Sequence, residues 1–197
     1  MRLMVNLFVE PIPPVYLCCD ALLTAADIAS ASRFQHEGRR REHLAWRRIV
    51  RRELGTKTLI EYNAVGAPTV DTPNRQISVS HTKSMVAVAI ADVPVGIDIE
   101  LLCRDFEAVK SRYMTHQEMA LATHAEWPAM VWTAKEALYK LYGHREIDLT
   151  DDLRIVDYDE TRDTLHAEIC DSIRAEVEIR VIEETALVAV ATYASAE

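Results

Sequence analysis

Asp98 and Glu100 stand at i and i+2 within the segment VGIDIE, residues 95 to 100. If that segment is a strand, both carboxylates leave the same face. Like charges held so close repel, and both stay ionised only where a cation or strong donors offset them. A divalent ion does this economically. Magnesium takes oxygen ligands, binds through a few carboxylates and keeps positions for water and substrate phosphates. A wet strand face lined by two acids is the bland alternative for the same pattern.

A second group lies in VWTAKEALYKLYG. Val131, Ala134, Leu138, Leu141 and Tyr142 form one apolar helical stripe, and Trp132, Glu136 and Lys140 follow each other at i, i+4 and i+8 along an adjacent face. A carboxylate and an ammonium are thus presented together beside an aromatic ring. Glu followed by Lys at i+4 is also an ordinary surface pair contributing only about 0.2 to 0.5 kcal/mol. The third group is Ser80-His81, closing the run ISVSH before a polar turn. Strand ends present ligand-binding groups, and hydroxyl, imidazole and free backbone N–H groups there suit a phosphate.

The elements that must position these residues can be read from periodicity. The first half gives an initial strand and loop, a long helix near 33 to 54, and strands near 58 to 62, 77 to 80 and 84 to 91. The second half opens with a strand at 95 to 100, continues with helical patterns near 105 to 112, 115 to 124 and 127 to 142, and ends in four alternating runs, DLRIVDY, TLHAEIC, RAEVEIRVIE and ALVAVATY. Short polar turns separate those runs, which predicts an antiparallel meander. Pro94 and Pro128 mark element starts, and Gly143 suits a left-handed helix cap. The class is α+β: two similar halves related by a pseudo-twofold, 1–93 and 94–197, each a long helix packed on a mainly antiparallel sheet.

Bulk properties limit the function classes. The chain has 197 residues, 49% apolar and 27% charged, enough for a sizeable core. The longest apolar run, residues 85 to 91, is far short of the roughly 20 residues of a membrane span. Asn6, Glu10 and three prolines interrupt any signal-like core at the start, and four cysteines at 18, 19, 103 and 170 show neither metal spacing nor disulfide density. A reducing, cytoplasmic setting is expected, with Cys18 and Cys19 as small apolar filling. Net charge of −9 disfavours nucleic-acid binding. Eight arginines nevertheless fall between 33 and 52, a basic patch on an acidic protein that suggests a localised anionic ligand or, more plainly, a solvated helix face.

Taken in order, the segments resemble the 4′-phosphopantetheinyl transferase superfamily. Its pattern is Ser-His, Gly-x-Asp-x-Glu, Arg-Phe-x-Ser/Thr-x-x-Glu and Trp-x-x-Lys-Glu-x-x-x-Lys. This sequence reads Ser80-His81, Gly96-Ile97-Asp98-Ile99-Glu100, Arg112-Tyr113-Met114-Thr115-His116-Gln117-Glu118, and Trp132 to Lys140 with Lys135-Glu136 inside. The length points to the longer, pseudodimeric Sfp-like branch. The resemblance implies transfer of phosphopantetheine from coenzyme A to a serine of an apo acyl or peptidyl carrier protein by a monomeric, magnesium-dependent enzyme. It implies Asp98, Glu100 and Glu136 as magnesium ligands, with Asp98, Glu136 and Lys140 in catalysis. Ser80, His81, Lys135, Lys140 and an arginine of the basic helix, Arg41 among the consecutive Arg39, Arg40 and Arg41, are implied to hold the donor. Gly66-Ala67-Pro68 stands where the family often has Gly-Lys-Pro, so one cation near the nucleotide is missing. Two other functions fit the residues: a non-catalytic module of this fold docking an acidic partner, and a magnesium-dependent phosphohydrolase using water as acceptor.

Overall fold

The computed structural model describes residues 4–15, 17, 19–144 and 146–195. Strand β1, Val5–Pro11, pairs antiparallel with β5, Met85–Ala91, whose other edge carries β4, Gln76–His81. Helix α2, Glu37–Leu54, lies on this three-stranded sheet, with Trp46, Ile49 and Val50 packed against Ile77, Val86, Val88 and Ile90. A short hairpin, β2 (Ile60–Tyr62) and β3 (Pro68–Val70), reverses through Gly66 at φ 88°. That left-handed turn suits a residue without a Cβ.

The second sheet has five antiparallel strands in the order β6-β10-β9-β8-β7, with ranges Gly96–Leu101, Ala186–Tyr193, Ile173–Ile182, Thr164–Ile169 and Leu153–Asp159. Helix α4, Trp127–Tyr142, covers one face of it. Pro128 sits in its first turn, where a missing N–H costs no hydrogen bond, and Gly143 caps it at φ 71°. The expected meander of late strands and the helix at 127 to 142 are both present, and the fold is α+β.

Period-two alternation decides what each face of β6 meets. Ile97 and Ile99 join Val188 and Val190 of β10 against Ala87, Ala89 and Ala91 of β5, a buried layer between the two sheets. Gly96, Asp98 and Glu100 take the opposite face, toward α4. The small alanines of β5 let the sheets approach across that layer.

Several expectations are corrected. The helix near 33 begins only at Glu37, because residues 32–36 form a turn. The pattern at 105 to 112 is a 3-10 helix, Glu107–Arg112, followed by a short α3, His116–Leu121. Helix α1, Ala25–Ala31, and strand β3 were not expected from periodicity. Helix α1 opens with a capping box in which the Thr24 hydroxyl accepts from the Asp27 amide and Asp27 accepts from the Thr24 amide. Cys19 is exposed and is not core filling; Cys18 lies outside the described residues. Among the described residues, no helix is long and apolar enough to cross a membrane.

Candidate active site

Gly96 fixes the distance between the strand and the helix that carry the acids. A Cβ built on Gly96 would lie 2.0 Å from the Ala137 carbonyl oxygen and 2.6 Å from the Leu141 amide nitrogen. Helix α4 therefore crosses β6 backbone to backbone, and only glycine leaves room. The apolar stripe of α4 (Val131, Ala134, Leu138, Leu141) is buried against the sheet. The neighbouring face, Trp132, Glu136 and Lys140, is thereby brought over Asp98 and Glu100.

Asp98 is buried and held asymmetrically. Its Oδ1 accepts from Ser80 Oγ at 2.7 Å and from Lys140 Nζ at 2.7 Å, while its buried Oδ2 has no partner among the described residues. Glu100 repeats the pattern: Oε1 accepts from Trp132 Nε1 at 2.7 Å and from Arg104 Nη1 at 2.8 Å. Glu136 makes no hydrogen bond or ion pair among the described residues. Burial, followed by the charges of Asp98 and Glu100, pushes the Glu136 carboxyl above its ordinary range, with Lys140 and Arg104 opposing. Burial, with Asp98, likewise pushes Glu100 up against the lowering effect of Trp132 and Arg104. The three acids thus sense one another electrostatically, as carboxylates sharing one site do.

A row of basic side chains borders the acids. Lys140 Nζ also donates to the Ile97 carbonyl at 2.9 Å, which fixes it on the strand. His81 ends β4; burial pushes its imidazole below the usual range, Arg39 and Lys140 add to that effect, and Glu42 opposes it. Arg39 Nη1 lies 2.9 Å from His81 Nε2 and 3.0 Å from Glu42 Oε2, with 54% of its side chain exposed.

Two sequence-based assignments change. Arg41 turns instead to the Pro13 and Pro14 carbonyls, at 3.3 and 2.9 Å, so Arg39 is the arginine beside His81. The Ser80 hydroxyl donates to Asp98 and so supports the acid in this structure. Lys135 is fully buried on the far side of α4, where Nζ pairs with Glu118 at 2.8 Å and donates to the Tyr113 and Leu149 carbonyls. Its neighbour in sequence, Glu136, faces the site, because successive helical residues diverge by about 100°. Lys135 therefore belongs to the packing of α4, not to donor binding.

The arginine-rich helix is likewise less of a patch than its composition suggests. Arg47 and Arg51 bracket the fully buried Asp27, Arg48 pairs with Asp20 and Glu10, Arg52 with Glu10 and Glu53, and Arg40 donates to the Phe34 carbonyl. Most of these guanidiniums brace α1 and the amino-terminal segment onto α2.

Sequence reasoning did not pick out Arg104. Its guanidinium sits over the rings of Phe106 and Trp132, 5.0 and 5.1 Å from their centroids. Nothing in its spacing marks it, since it lies in the turn after β6.

A cavity of about 250 Å³ opens beside this group, lined in part by Gly66, Ala67, Pro68, Ser78, Tyr139 and His144, with Lys140 on the shared wall. Among the described residues no three His, Cys, Asp or Glu side chains form a ready-made metal cage. The donor set nonetheless fits a hard, oxygen-seeking cation: among the described residues Asp98 Oδ2 is buried without a partner, Glu100 engages only Oε1, and Glu136 makes no hydrogen bond. Magnesium needs no all-protein cage, since substrate phosphates and water complete its shell.

Carboxylates with spare oxygens, a border of basic side chains and an adjoining cavity, all on an α+β frame, suit the chemistry of phosphate esters. The family comparison makes the class specific. Residues 94–191 match the 4′-phosphopantetheinyl transferase superfamily, whose general activity is phosphopantetheinyl transfer. No curated protein matches the chain.

Proposed function

We propose that the protein transfers the 4′-phosphopantetheine group of coenzyme A to a serine of an apo acyl or peptidyl carrier protein, releasing adenosine 3′,5′-bisphosphate. The observation that carries this reading is the divided role of Asp98: one oxygen is fixed by Ser80 and Lys140, and the other is buried without a partner among the described residues. A buried carboxylate oxygen left unsatisfied is costly unless a ligand completes it. Asp98, Glu100 and Glu136 would hold magnesium, which when bound draws electron density from the phosphorus under attack.

The chain's own groups account for the rest. The carrier serine oxygen forms a bond to the phosphorus of the pantetheine phosphate, and the bond from that phosphorus to the bridging oxygen of the diphosphate breaks. Glu136, its carboxyl free of other bonds, takes the serine proton directly or through water. Lys140 stands between the acids and the cavity, so its ammonium offsets the charge of the departing nucleotide phosphate. Arg39 and His81 provide the donor contacts for a further phosphate of the nucleotide. The cavity at Gly66–Pro68 takes the adenosine part through backbone and ring contacts, since Ala67 offers no charge. Ser80 on β4 and Asp98 on β6 meet within one chain, which supports a monomeric enzyme.

The test is to incubate the protein with coenzyme A, magnesium and several apo carrier proteins of fatty-acid and peptide-synthase types, then weigh each carrier. A gain of one phosphopantetheine is expected, and Glu136→Gln should abolish it while leaving the circular dichroism spectrum unchanged. Unmodified carriers across all types would refute the reading.

A further inference from the structure

We propose that Arg104 is a positioning residue for Glu100, fixing which of its two carboxylate oxygens faces the acid cluster. The proposal rests on the reading of Asp98, Glu100 and Glu136 as the divalent-ion site. An arginine four residues after a glutamate, with 46% of its side chain exposed, would ordinarily count as a surface ion pair of little consequence. Three observations set this one apart.

Arg104 Nη1 and Trp132 Nε1 converge on the same atom, Oε1 of Glu100, at 2.8 and 2.7 Å. The guanidinium does not depend on Glu100 alone for its place, because it lies over Phe106 and Trp132 at 5.0 and 5.1 Å. Trp132 is in turn steadied edge-on against the buried Tyr113 ring at 5.1 Å. The donors are therefore fixed independently of the carboxylate they hold. Finally, the arrangement repeats that of Asp98, where Ser80 and Lys140 converge on Oδ1 and leave Oδ2 bare. Two carboxylates on one strand face each have one oxygen doubly engaged and the other without a hydrogen bond among the described residues.

Loss of an outer-sphere partner that orients a ligating carboxylate weakens metal binding about 10- to 100-fold. Loss of a nearby positive charge acts in the opposite sense, but an ion pair this exposed contributes little in water, less than about tenfold in affinity. Orientation should win. For the full chain, Mn2+ binding measured by the electron paramagnetic resonance signal of the free ion should weaken about 10- to 100-fold in Arg104→Ala. Arg104→Lys, which keeps the charge but not the planar fork, should stay weakened. Trp132→Phe should weaken binding similarly, and the double variant should lose less than the product of the two, because both act on one oxygen. Thermal melts of each variant establish that it is folded, and the Mn2+ affinity is a readout that a purely structural role would leave alone.

Wild-type or tighter Mn2+ binding by folded Arg104→Ala would overturn the proposal, as would full restoration by Arg104→Lys. If wild-type protein binds no Mn2+, the metal reading of the acids fails and this proposal with it. The two failures are thus distinguishable.

Discussion

Replacing Gly96 by alanine perturbs the site through the backbone alone. The added Cβ would fall 2.0 Å from the Ala137 carbonyl oxygen, 2.6 Å from the Leu141 amide nitrogen and 3.0 Å from the Ala137 carbonyl carbon. None of these atoms is the end of a flexible side chain, so α4 must withdraw from β6 by about 1 Å before the contact becomes tolerable. Overpacking of this kind costs about 1 to 3 kcal/mol, and a clash against helix backbone belongs at the upper end, near ~3 kcal/mol. The same shift stretches the Lys140 bonds to Ile97 and Asp98, now 2.9 and 2.7 Å, past hydrogen-bond range. A misplacement of about 1 Å can reduce a rate about 100-fold. Urea unfolding should therefore show a loss near ~3 kcal/mol, and phosphopantetheinyl transfer under conditions where the variant is folded should fall about 100-fold. A variant within ~0.5 kcal/mol of wild type, the range of an ordinary surface change, with normal turnover would refute the claim that strand–helix contact at Gly96 sets the site.

Further expectations concern single residues. Lys135→Met leaves Glu118 as an uncompensated buried charge, which costs about 3 to 5 kcal/mol, so calorimetry should record a large fall in Tm; a folded, stable variant with a raised Michaelis constant for coenzyme A would instead return Lys135 to donor binding. Arg39→Ala should raise that constant more than Arg41→Ala does, and the reverse order in steady-state kinetics would restore Arg41. Burial, followed by the charge of Arg47, pushes the His43 imidazole down to about 4 from 6.5. Between those values the unfolded chain binds a proton that the folded chain refuses, so His43 makes stability fall as pH drops through this window, by at most about 3 kcal/mol. Urea titrations at pH 7.5 and 4.5 should show a smaller difference for His43→Gln than for wild type; equal differences would remove His43 from the account.

Local patterning made much of this protein legible. The i, i+2 spacing of Asp98 and Glu100 requires a shared strand face whatever the fold, and the i, i+4, i+8 spacing of Trp132, Glu136 and Lys140 requires a shared helix face. The Pro128 start and the Gly143 cap bound α4 for reasons written in their side chains. Alternation in the last four runs likewise sufficed for the antiparallel meander. The capping box Thr24-x-x-Asp27 was a readable signal for α1, but seven residues carry too little apolar period to reveal a helix by pattern.

Periodicity states which residues share a face and is silent on what that face meets. It could not tell that Lys135 turns into the core toward Glu118 while Glu136 turns to the acids, nor that Ser80 donates to Asp98. The direction of the arginines in α2 was equally hidden: Asp27, 20 and 24 residues upstream in the chain, claims Arg47 and Arg51, and among the described residues only Arg39 reaches His81. Composition counted eight arginines, whereas the fold determined which of them were already paired. Sequence therefore determined the kinds of group available and their local alignment, and the tertiary structure decided which carboxylate oxygens were left bare, because that depends on donors contributed by β4, α4 and the turn after β6 meeting at one place.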